Sequence, residues 1–233
     1  MTKSMIIVGL VIIILGGLWL VTSRDSNIVV DTNKDNASST VDNIEPSLPA
    51  DGRYNLNSLD SLVSWRGTKT LIKGYEDTGT LKIKEGTFTI ENGVVTAGTI
   101  AFDMNSIEAS ATTNTVAGVG NLTKHLKSAD FLEVDKFPVS SFVLTTAEPV
   151  GGSAGGTFIF MGNLTIKGAT NEVQFPIHFG KDNNRLVLVG EFELDRTKWG
   201  IKYGSGQFFQ DLGDKIISDQ VEIKFQAVAD KAL

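Results

Sequence analysis

The chain has 233 residues, of which 41% are hydrophobic and 21% charged, a composition typical of a globular protein with one domain of ordinary size plus appendages. It contains no cysteine, which excludes disulfides, a thiol nucleophile and a cysteine-ligated zinc site. Its formal net charge is −6 without a long basic run, so the sequence does not favour nucleic acid as a partner.

An uninterrupted apolar run covers residues 5–21, between Lys3 and Arg24. As a helix, a run of this length spans about 25 Å, slightly less than the roughly 30 Å hydrocarbon core of a bilayer. We predict that residues 1–22 form a single transmembrane anchor whose N-terminus stays in the cytoplasm, because Lys3 lies on that side. The alternative is a signal peptide that is cleaved near Ser23. Both alternatives place the rest of the chain in the periplasm or the extracellular space.

The composition changes between this apolar run and residue 52. Residues 23–51 are rich in Ser, Thr, Asn and Asp, and they contain Pro46 and Pro49 near their end. Segments of this composition rarely bury enough apolar surface to fold, so we predict a flexible polar linker. The sequence thus predicts an anchor or signal segment, a linker, and a folded domain over residues 52–233.

Apolar residues alternate with polar ones through most of the sequence from residue 54 onward. This alternation predicts strands with one buried face, including one strand around residues 81–83 and a separate short strand around residues 88–90. Asn92-Gly93 predicts a tight hairpin turn. Eight or nine strands joined mostly by short turns predict an all-β, antiparallel, closed barrel of about eight strands. Glycines on the apolar face favour a barrel over a sandwich, since they relieve corners or leave room inside. These glycines are Gly67, Gly79, Gly98, Gly162 and Gly190.

Two stretches interrupt the alternation. In the first, residues 105–137, the run over residues 121–130 predicts one or two helical turns. The apolar residues of this run predict a short helical lid over one barrel mouth. The second stretch covers residues 196–218, and Asp195 and Arg196 at its start predict a salt-bridged pair on the barrel rim.

Large apolar residues at inward positions of the strands are candidates for a ligand cavity. Such residues usually fill the core of a small barrel, and a tunnel for a long hydrocarbon chain is the alternative. The interleaved glycines favour the tunnel. Because each buried methylene contributes about 0.8 kcal/mol, an apolar chain binds with few polar contacts and leaves no polar motif. The predicted cavity residues are Trp65, Leu81, Phe102, Met104, Phe131, Phe142, Phe160, Phe175 and Phe192, and the predicted lid or headgroup residues are His125 and Leu126.

For three polar or aromatic residues the sequence allows two roles each, and for a fourth it predicts a position outside the site. His125 either contacts a ligand headgroup or braces the short helix. Trp199 and Tyr203 either plug a barrel end or fringe a mouth, and the sequence leaves both open. His178 lies between two apolar positions of a strand and is predicted to face solvent. The sequence predicts no catalytic residues and no metal site, since its two histidines are far apart and no converging polar set occurs.

Six sequence segments occur in the same order and at similar spacing in a known protein family. They are SLVSWRGTK (residues 61–69), TGTLKIKEGTF (78–88), GTIAFDMNSI (98–107), NLTKHLKSADFLEVDKFPVSSF (121–142), GNLTIKGATNEVQFP (162–176) and DRTKWGIKYGSG (195–206). With them the chain resembles the YceI-like family, exported bacterial lipocalin-like barrels associated with polyisoprenoid binding. Two places depart from the family: Thr123-Lys124 replaces an Arg-Asp pair of many members, and Tyr75-Glu76-Asp77 stands where many have a histidine.

The resemblance implies a binding protein and not an enzyme. Its expected ligand is an isoprenoid-type amphiphile, polyprenyl or quinone-like, held in the apolar cavity, and no other cofactor is expected. A membrane-tethered, exported lipid-binding barrel is therefore the leading hypothesis. The alternative is a structural or stress-related envelope protein whose barrel core is solid and which acts through its surface. Neither hypothesis predicts an oligomeric state.

Overall fold

The computed structural model describes residues 45–46, 50–151, 156–182 and 185–232. Their helices and strands are, in chain order, β1 (Glu45–Pro46), β2 (Gly52–Thr68), β3 (Glu76–Glu91), β4 (Val94–Thr112), α1 (Gly118–Lys127), β5 (Val139–Pro149), β6 (Thr157–Ile166), β7 (Ala169–Asp182), β8 (Arg185–Asp195), two 3₁₀ helices (Arg196–Trp199 and Gly213–Lys215) and β9 (Gln220–Lys231). Within these ranges no helix is both long and apolar enough to cross a bilayer. The predicted anchor, residues 1–22, lies outside them.

Eight antiparallel strands close into a barrel. Each strand from β2 to β8 is hydrogen-bonded to the strand that follows it, and β9 pairs with β2 to complete the circle. The prediction of an all-β, closed antiparallel barrel of about eight strands with one short helix is therefore confirmed. β1 also pairs with β7, with Pro46 opposite Gly180. Two residues of the predicted linker are thus part of the sheet.

The connections divide the barrel into two ends. At the first, which we call the closed end, β3 joins β4, β5 joins β6 and β7 joins β8. The second, which we call the mouth end, carries the other four connections, residues 69–75, 113–138, 167–168 and 196–219. These four lie together because consecutive strands of an up-and-down barrel run in opposite directions.

β3 is one continuous strand, whereas the alternation predicts two separate strands, one around residues 81–83 and a short one around residues 88–90. One extra residue, Lys84, interrupts its register with β4. Such a bulge shifts the alternation by one position, which makes one strand resemble two. The predicted turn between β3 and β4 is confirmed, since Asn92 and Gly93 both have the positive φ that a tight hairpin requires (55° and 72°).

β4 extends to Thr112, whereas the sequence predicts that irregular structure begins at Asn105. That prediction is wrong because residues 104–107 form a wide bulge in the register with β3. Ser106 stabilises the bulge by accepting a hydrogen bond at Oγ from the backbone N–H of Lys82, at 2.9 Å. A bulge breaks the period of two, so the alternation stops although the strand continues.

β7 and β8 separate toward the mouth end. They share five register pairs near the closed end, the last of which is His178 with Val189. Beyond this point the rings of Phe175 and Phe192 stack across the gap, with centroids 4.6 Å apart. Apolar contact between these rings replaces the missing backbone hydrogen bonds at this part of the wall.

The closed end is packed solid with aromatic side chains. Phe88, Phe158, Phe160 and Phe179 are each at most 2% exposed. The rings of Phe158 and Phe179 meet edge to face at 5.4 Å between centroids. Burying each such side chain contributes about 1.5–3 kcal/mol, so this end supplies a large part of the barrel's stability.

Candidate functional site

A cavity of about 680 Å³ lies inside the barrel and extends from the mouth-end connections to Phe88, Leu188 and Ala227 near the closed end. This volume lies in the range of small-molecule sites, about 300–1,000 Å³. Phe88 and Phe160 of the packed closed end lie at its floor. The exposed residues of its lining all belong to the mouth-end connections, so the cavity opens to solvent there. They are Asn114, Ala117, Asn121, Tyr203, Phe209 and Lys215, and we call the opening they surround the mouth.

All eleven residues selected from the sequence line this cavity. The barrel wall contributes Trp65, Leu81, Phe102, Met104, Phe142, Phe160, Phe175 and Phe192, the helix α1 contributes His125 and Leu126, and the segment after it contributes Phe131. The structure therefore brings the whole set together around one space. Their contact with a ligand stays a prediction.

Aromatic rings lie over the inward glycines of neighbouring strands. Directly opposite each other in the register are Trp65 and Gly79, Phe88 and Gly98, and Phe225 and Gly190. A Cβ atom on Gly190 would come within 2.5 Å of the ring of Phe225. The ring therefore lies against the wall over the glycine instead of extending into the lumen. These glycines keep the lumen open because they accommodate the rings. No ring lies over Gly67, where an added Cβ atom would meet no other atom within 4 Å.

The helix α1 covers part of the mouth. It begins at Gly118, earlier than predicted, and is attached to β4 through Thr123, whose Oγ1 accepts a hydrogen bond from the N–H of Ala109 at 2.9 Å. At its end the hydroxyl of Ser128 donates to the carbonyl of His125 at 2.7 Å, which satisfies a terminal helix carbonyl. The short helical lid is thus present and is longer than the sequence predicts.

His125 connects this lid with the 196–219 connection. Its Nε2 lies 3.1 Å from the carboxylate of Asp130. Its ring meets Phe131 and Tyr203 edge to face, at 4.9 and 4.6 Å between centroids. The residue therefore braces the lid and lines the cavity at the same time. The other histidine, His178, is exposed on β7, as predicted.

The two aromatic residues of the 196–219 connection have different positions. Trp199 is 2% exposed, lies outside the cavity lining, and donates Nε1–H to the carbonyl of Leu164 at 2.9 Å. Tyr203 is 42% exposed and stands at the mouth. Trp199 thus plugs the wall beside the barrel end, and Tyr203 fringes the opening.

Arg196 holds the 196–219 connection in place. Its guanidinium is almost fully buried and uses all five N–H donors, four toward backbone carbonyls and one toward the carboxylate of Asp219 at 3.2 Å. Burial lowers the pKa of Arg196, and the charge of Asp219 acts in the opposite direction. The predicted Asp195–Arg196 pair is wrong, because Asp195 instead accepts from the N–H of Thr197 at 3.0 Å and caps the 3₁₀ helix.

Polar groups of the cavity lining are concentrated near the mouth. Lys69 lies over the ring of Tyr75 at 4.7 Å, and burial raises the pKa of the Tyr75 hydroxyl. Deeper in the cavity the lining is predominantly apolar. Among the described residues, Ser140 Oγ and Trp65 Nε1 are the buried side-chain polar atoms that lack a hydrogen-bond partner, and both residues line the cavity.

Several lining residues were not selected from the sequence. β9 contributes Val221, Ile223 and Phe225, whose alternation already indicates one buried face. Ser140 was missed because a small polar residue gives no apolar signal, although it shares the inward face of β5 with Phe142. Among the residues that the structure describes, no cluster of histidine and acidic side chains has the arrangement of a metal site.

An antiparallel barrel that encloses an apolar cavity under a short helix defines a class of small-molecule-binding proteins. Residues 54–229, which are most of the chain, match the YceI-like domain. The chain therefore belongs to the YceI-like family, as the sequence motifs predict. By family and fold it is a binding protein and not an enzyme.

Two relatives illustrate the sequence similarity. A UPF0312 protein of Pseudomonas putida strain W619 is 33% identical over 152 residues, which cover 63% of this chain and 74% of that protein. A UPF0312 protein of Shewanella denitrificans is 28% identical over 165 residues, which cover 65% of this chain and 81% of that protein.

Two solved structures have the same fold. BcnA of Burkholderia cenocepacia matches with a TM-score of 0.59 at 20% identity, over 75% of this chain and 99% of BcnA. A polyisoprenoid binding domain from Saccharophagus degradans, implicated in plant cell wall breakdown, matches with a TM-score of 0.52 at 12% identity, over 77% of this chain and 98% of that domain. At these identities the similarity supports the fold alone.

Proposed function

We propose that this protein binds an isoprenoid-type amphiphile, polyprenyl or quinone-like, inside its barrel. The observation that carries the proposal is the cavity of about 680 Å³ with its apolar interior. About ten buried methylenes contribute roughly 8 kcal/mol before the cost of association is subtracted, which is sufficient for binding without a polar anchor. The S. degradans domain of the same fold is described as polyisoprenoid-binding.

The distribution of polar groups supports one orientation of the ligand. The floor at Phe88 and Phe160 is apolar, whereas Lys69, Asp77 and Lys215 lie near the opening. An amphiphile therefore places its apolar chain toward the floor and its polar head at the mouth. His125 and Leu126 on the lid then lie where the ligand enters, and movement of α1 regulates its passage.

The cavity also bears on the alternative of a solid barrel that acts through its surface. That alternative requires the protein's own side chains to fill the space around Phe102, Phe160 and Phe192. These three residues instead line a single cavity, and Phe102 and Phe192 are only half-buried.

We further propose that the barrel is exported and held at the membrane by residues 1–22. The apolar run over residues 5–21, with Lys3 before it, supports this topology. Tethering near the lipid source raises the effective concentration of ligand without any new contact. Intact mass spectrometry of the native protein tests the proposal: a mass that includes residue 1 or 2 supports the anchor, and an N-terminus near Ser23 supports secretion after cleavage.

Binding is tested by native mass spectrometry and organic extraction of the purified full chain, followed by uptake of a fluorescent prenyl quinone. In Leu81→Trp and Ile223→Trp, an indole ring replaces a smaller aliphatic side chain and occupies part of the lumen. We expect uptake to fall at least about tenfold while the circular dichroism spectrum is unchanged. Val143→Trp is the matched control because this side chain is 45% exposed on the outer wall. No bound lipid and no uptake by the wild-type chain would reject the proposal.

A further inference from the structure

Exposed apolar side chains gather at the mouth end. Among the described residues, the large hydrophobic side chains that are exposed lie mostly on or beside the mouth-end connections. These are Leu71, Val116, Val119, Val139, Tyr203, Phe208 and Phe209, whereas Leu59, Leu62 and Val143 lie on the outer wall and Val150 at the closed end. The former set surrounds the mouth, and we call it the mouth rim.

The most exposed members of the rim point to an interaction with something apolar. Val116 is 96% and Leu71 is 63% exposed, and neither lines the cavity. Phe208 is 45% exposed and lies under the ammonium group of Lys202, 4.5 Å from its ring centroid. An aromatic ring next to a lysine matches the layered polarity of a membrane interface, where rings enter the headgroup layer and ammonium groups meet lipid phosphates.

The charge of the mouth end differs in sign from that of the remaining chain. The four mouth-end connections contain ten Lys and Arg but six Asp and Glu, a net charge of +4. Outside these connections, residues 50–232 contain eight Lys and Arg and 16 Asp and Glu, a net charge of −8. An anionic surface therefore attracts the mouth end and repels the rest of the barrel.

We propose that the mouth rim docks on the surface of an anionic lipid bilayer with the cavity opening facing the membrane. Exposed apolar side chains and net positive charge coincide at the opening of the apolar cavity, and this coincidence selects a membrane over a neutral partner. An apolar ligand then passes between bilayer and lumen without crossing water. The inference concerns orientation, so it goes beyond ligand binding and is tested separately from it.

The chain contains no cysteine, which permits an experiment with single labels. The full chain carrying Val116→Cys or Leu59→Cys is labelled with an environment-sensitive fluorophore and reconstituted into phosphatidylcholine vesicles with or without phosphatidylglycerol. The two positions match in exposure, at 96% and 94%, and lie on the mouth rim and on the outer wall. We expect nitroxides on the lipid acyl chains to quench the label at position 116 and not the label at position 59. Removing phosphatidylglycerol should weaken this quenching.

A variant separates docking from simple proximity to the tether. Leu71→Ser with Phe208→Ser removes two rim side chains outside the cavity lining, and we expect the docked-to-undocked ratio to fall about tenfold or more. Leu62→Ser with Val143→Ser is the control, since it removes comparably exposed side chains from the wall. Equal quenching at positions 116 and 59, or quenching unchanged in the rim variant, would overturn the proposal. A mouth-to-mouth dimer without quenching would also overturn it.

Ligand uptake measured in the same samples distinguishes this inference from the proposed function. Prenyl quinone delivered from cyclodextrin reaches the cavity without a membrane, so the rim variant should keep its uptake. Uptake without quenching at position 116 rejects the docked orientation and leaves ligand binding intact. Quenching without uptake rejects ligand binding and leaves the docked orientation intact.

Discussion

The closed end and the mouth end of this barrel are stabilised by different interactions. At the closed end, aromatic side chains such as Phe158 and Phe179 are fully buried against each other. At the mouth end, the buried guanidinium of Arg196 holds a 24-residue connection through backbone carbonyls and Asp219. The buried side chains of Trp199 and Ile201 also anchor this connection in the wall. Because these contacts and the hydrogen bonds of Arg196 fix the connection, the lumen beside it need not be filled by apolar side chains.

This difference shows how a small barrel combines stability with an open lumen. Close packing leaves few voids, so the aromatic side chains at the closed end leave little room for a ligand between them. At the mouth end, the hydrogen bonds of Arg196 involve only a few atoms of the 196–219 connection and leave the lumen beside them open. The lumen beside this connection therefore remains available for binding.

The largest expected effect compares two phenylalanines at the two ends. Phe158→Ala removes a fully buried ring and should lower the free energy of unfolding by about 3–5 kcal/mol. Phe192→Ala removes a half-buried ring that lines the lumen and should cost less than half as much. Denaturant unfolding of the full chain in detergent measures both values. Equal losses would mean that the lumen is as tightly packed as the closed end.

Replacing Arg196 tests the scaffold at the mouth end. Arg196→Met leaves four carbonyls without their donor, and the mostly buried carboxylate of Asp219 keeps only the hydroxyl of Ser205 as a side-chain donor, so we expect a loss of about 3 kcal/mol. Hydrogen exchange should show the loss in residues 196–219 first and leave the closed end protected. Uniform loss of protection along the chain would show that the two ends are not independent.

Alanine substitutions test the role of inward glycines in keeping the lumen open. A Cβ on Gly162 would come within 2.5 Å of the ring of Phe142 and of the Val143 carbonyl. Gly162→Ala should therefore cost about 1–3 kcal/mol and displace the ring into the lumen, with lower quinone uptake. Gly67→Ala, which meets no atom within 4 Å, should leave stability and uptake unchanged. An unaffected Gly162→Ala variant would contradict this account of the wall.

The smallest expected effect is a pH dependence on the outer wall next to the mouth end, where Arg66 of β2 lies opposite Glu222 of β9. Hydrogen bonding from Arg66 lowers the pKa of Glu222, and Arg66 Nη2 lies 2.6 Å from its carboxylate. Because the pKa is lower in the folded chain, the pair stabilises it above the ordinary glutamate pKa and this contribution disappears as pH falls through the lowered value. For this partly exposed pair on the protein surface we expect less than about 1 kcal/mol.

A double-mutant cycle with Glu222→Gln and Arg66→Met, measured at neutral pH and at pH values below 4.5, isolates this contribution. The coupling energy should be present at neutral pH and vanish in acid. A coupling energy that does not change with pH would assign it to packing instead of charge.

Much of the fold was predictable because one apolar face per strand imposes a period of two. The strand count, the hairpin at Asn92-Gly93 and the two irregular stretches follow from local patterns. The errors occur at bulges, where Lys84 and residues 104–107 shift the period without ending the strand. Bulges depend on pairing with a neighbouring strand, so the sequence of one strand does not reveal them.

The candidate site was predictable in its members but not in its shape. The alternation of apolar and polar residues places Trp65, Phe102 and Phe192 at inward positions, and all three line the cavity. The alternation does not show which inward residues pack against each other. The sequence therefore does not distinguish Phe88, which is fully buried, from Phe102, which is not. The partner of Arg196 was missed because Asp219 lies 23 positions away and meets it through the fold of the connection.

The sequence by itself determined the closed antiparallel barrel, the set of inward side chains and the family to which the chain belongs. The tertiary structure decided that a cavity exists, where it opens, and which end is solid. The physical reason is that alternation is a local property of each strand. Empty volume depends on where rings from different strands come to rest, here over glycines of their neighbours.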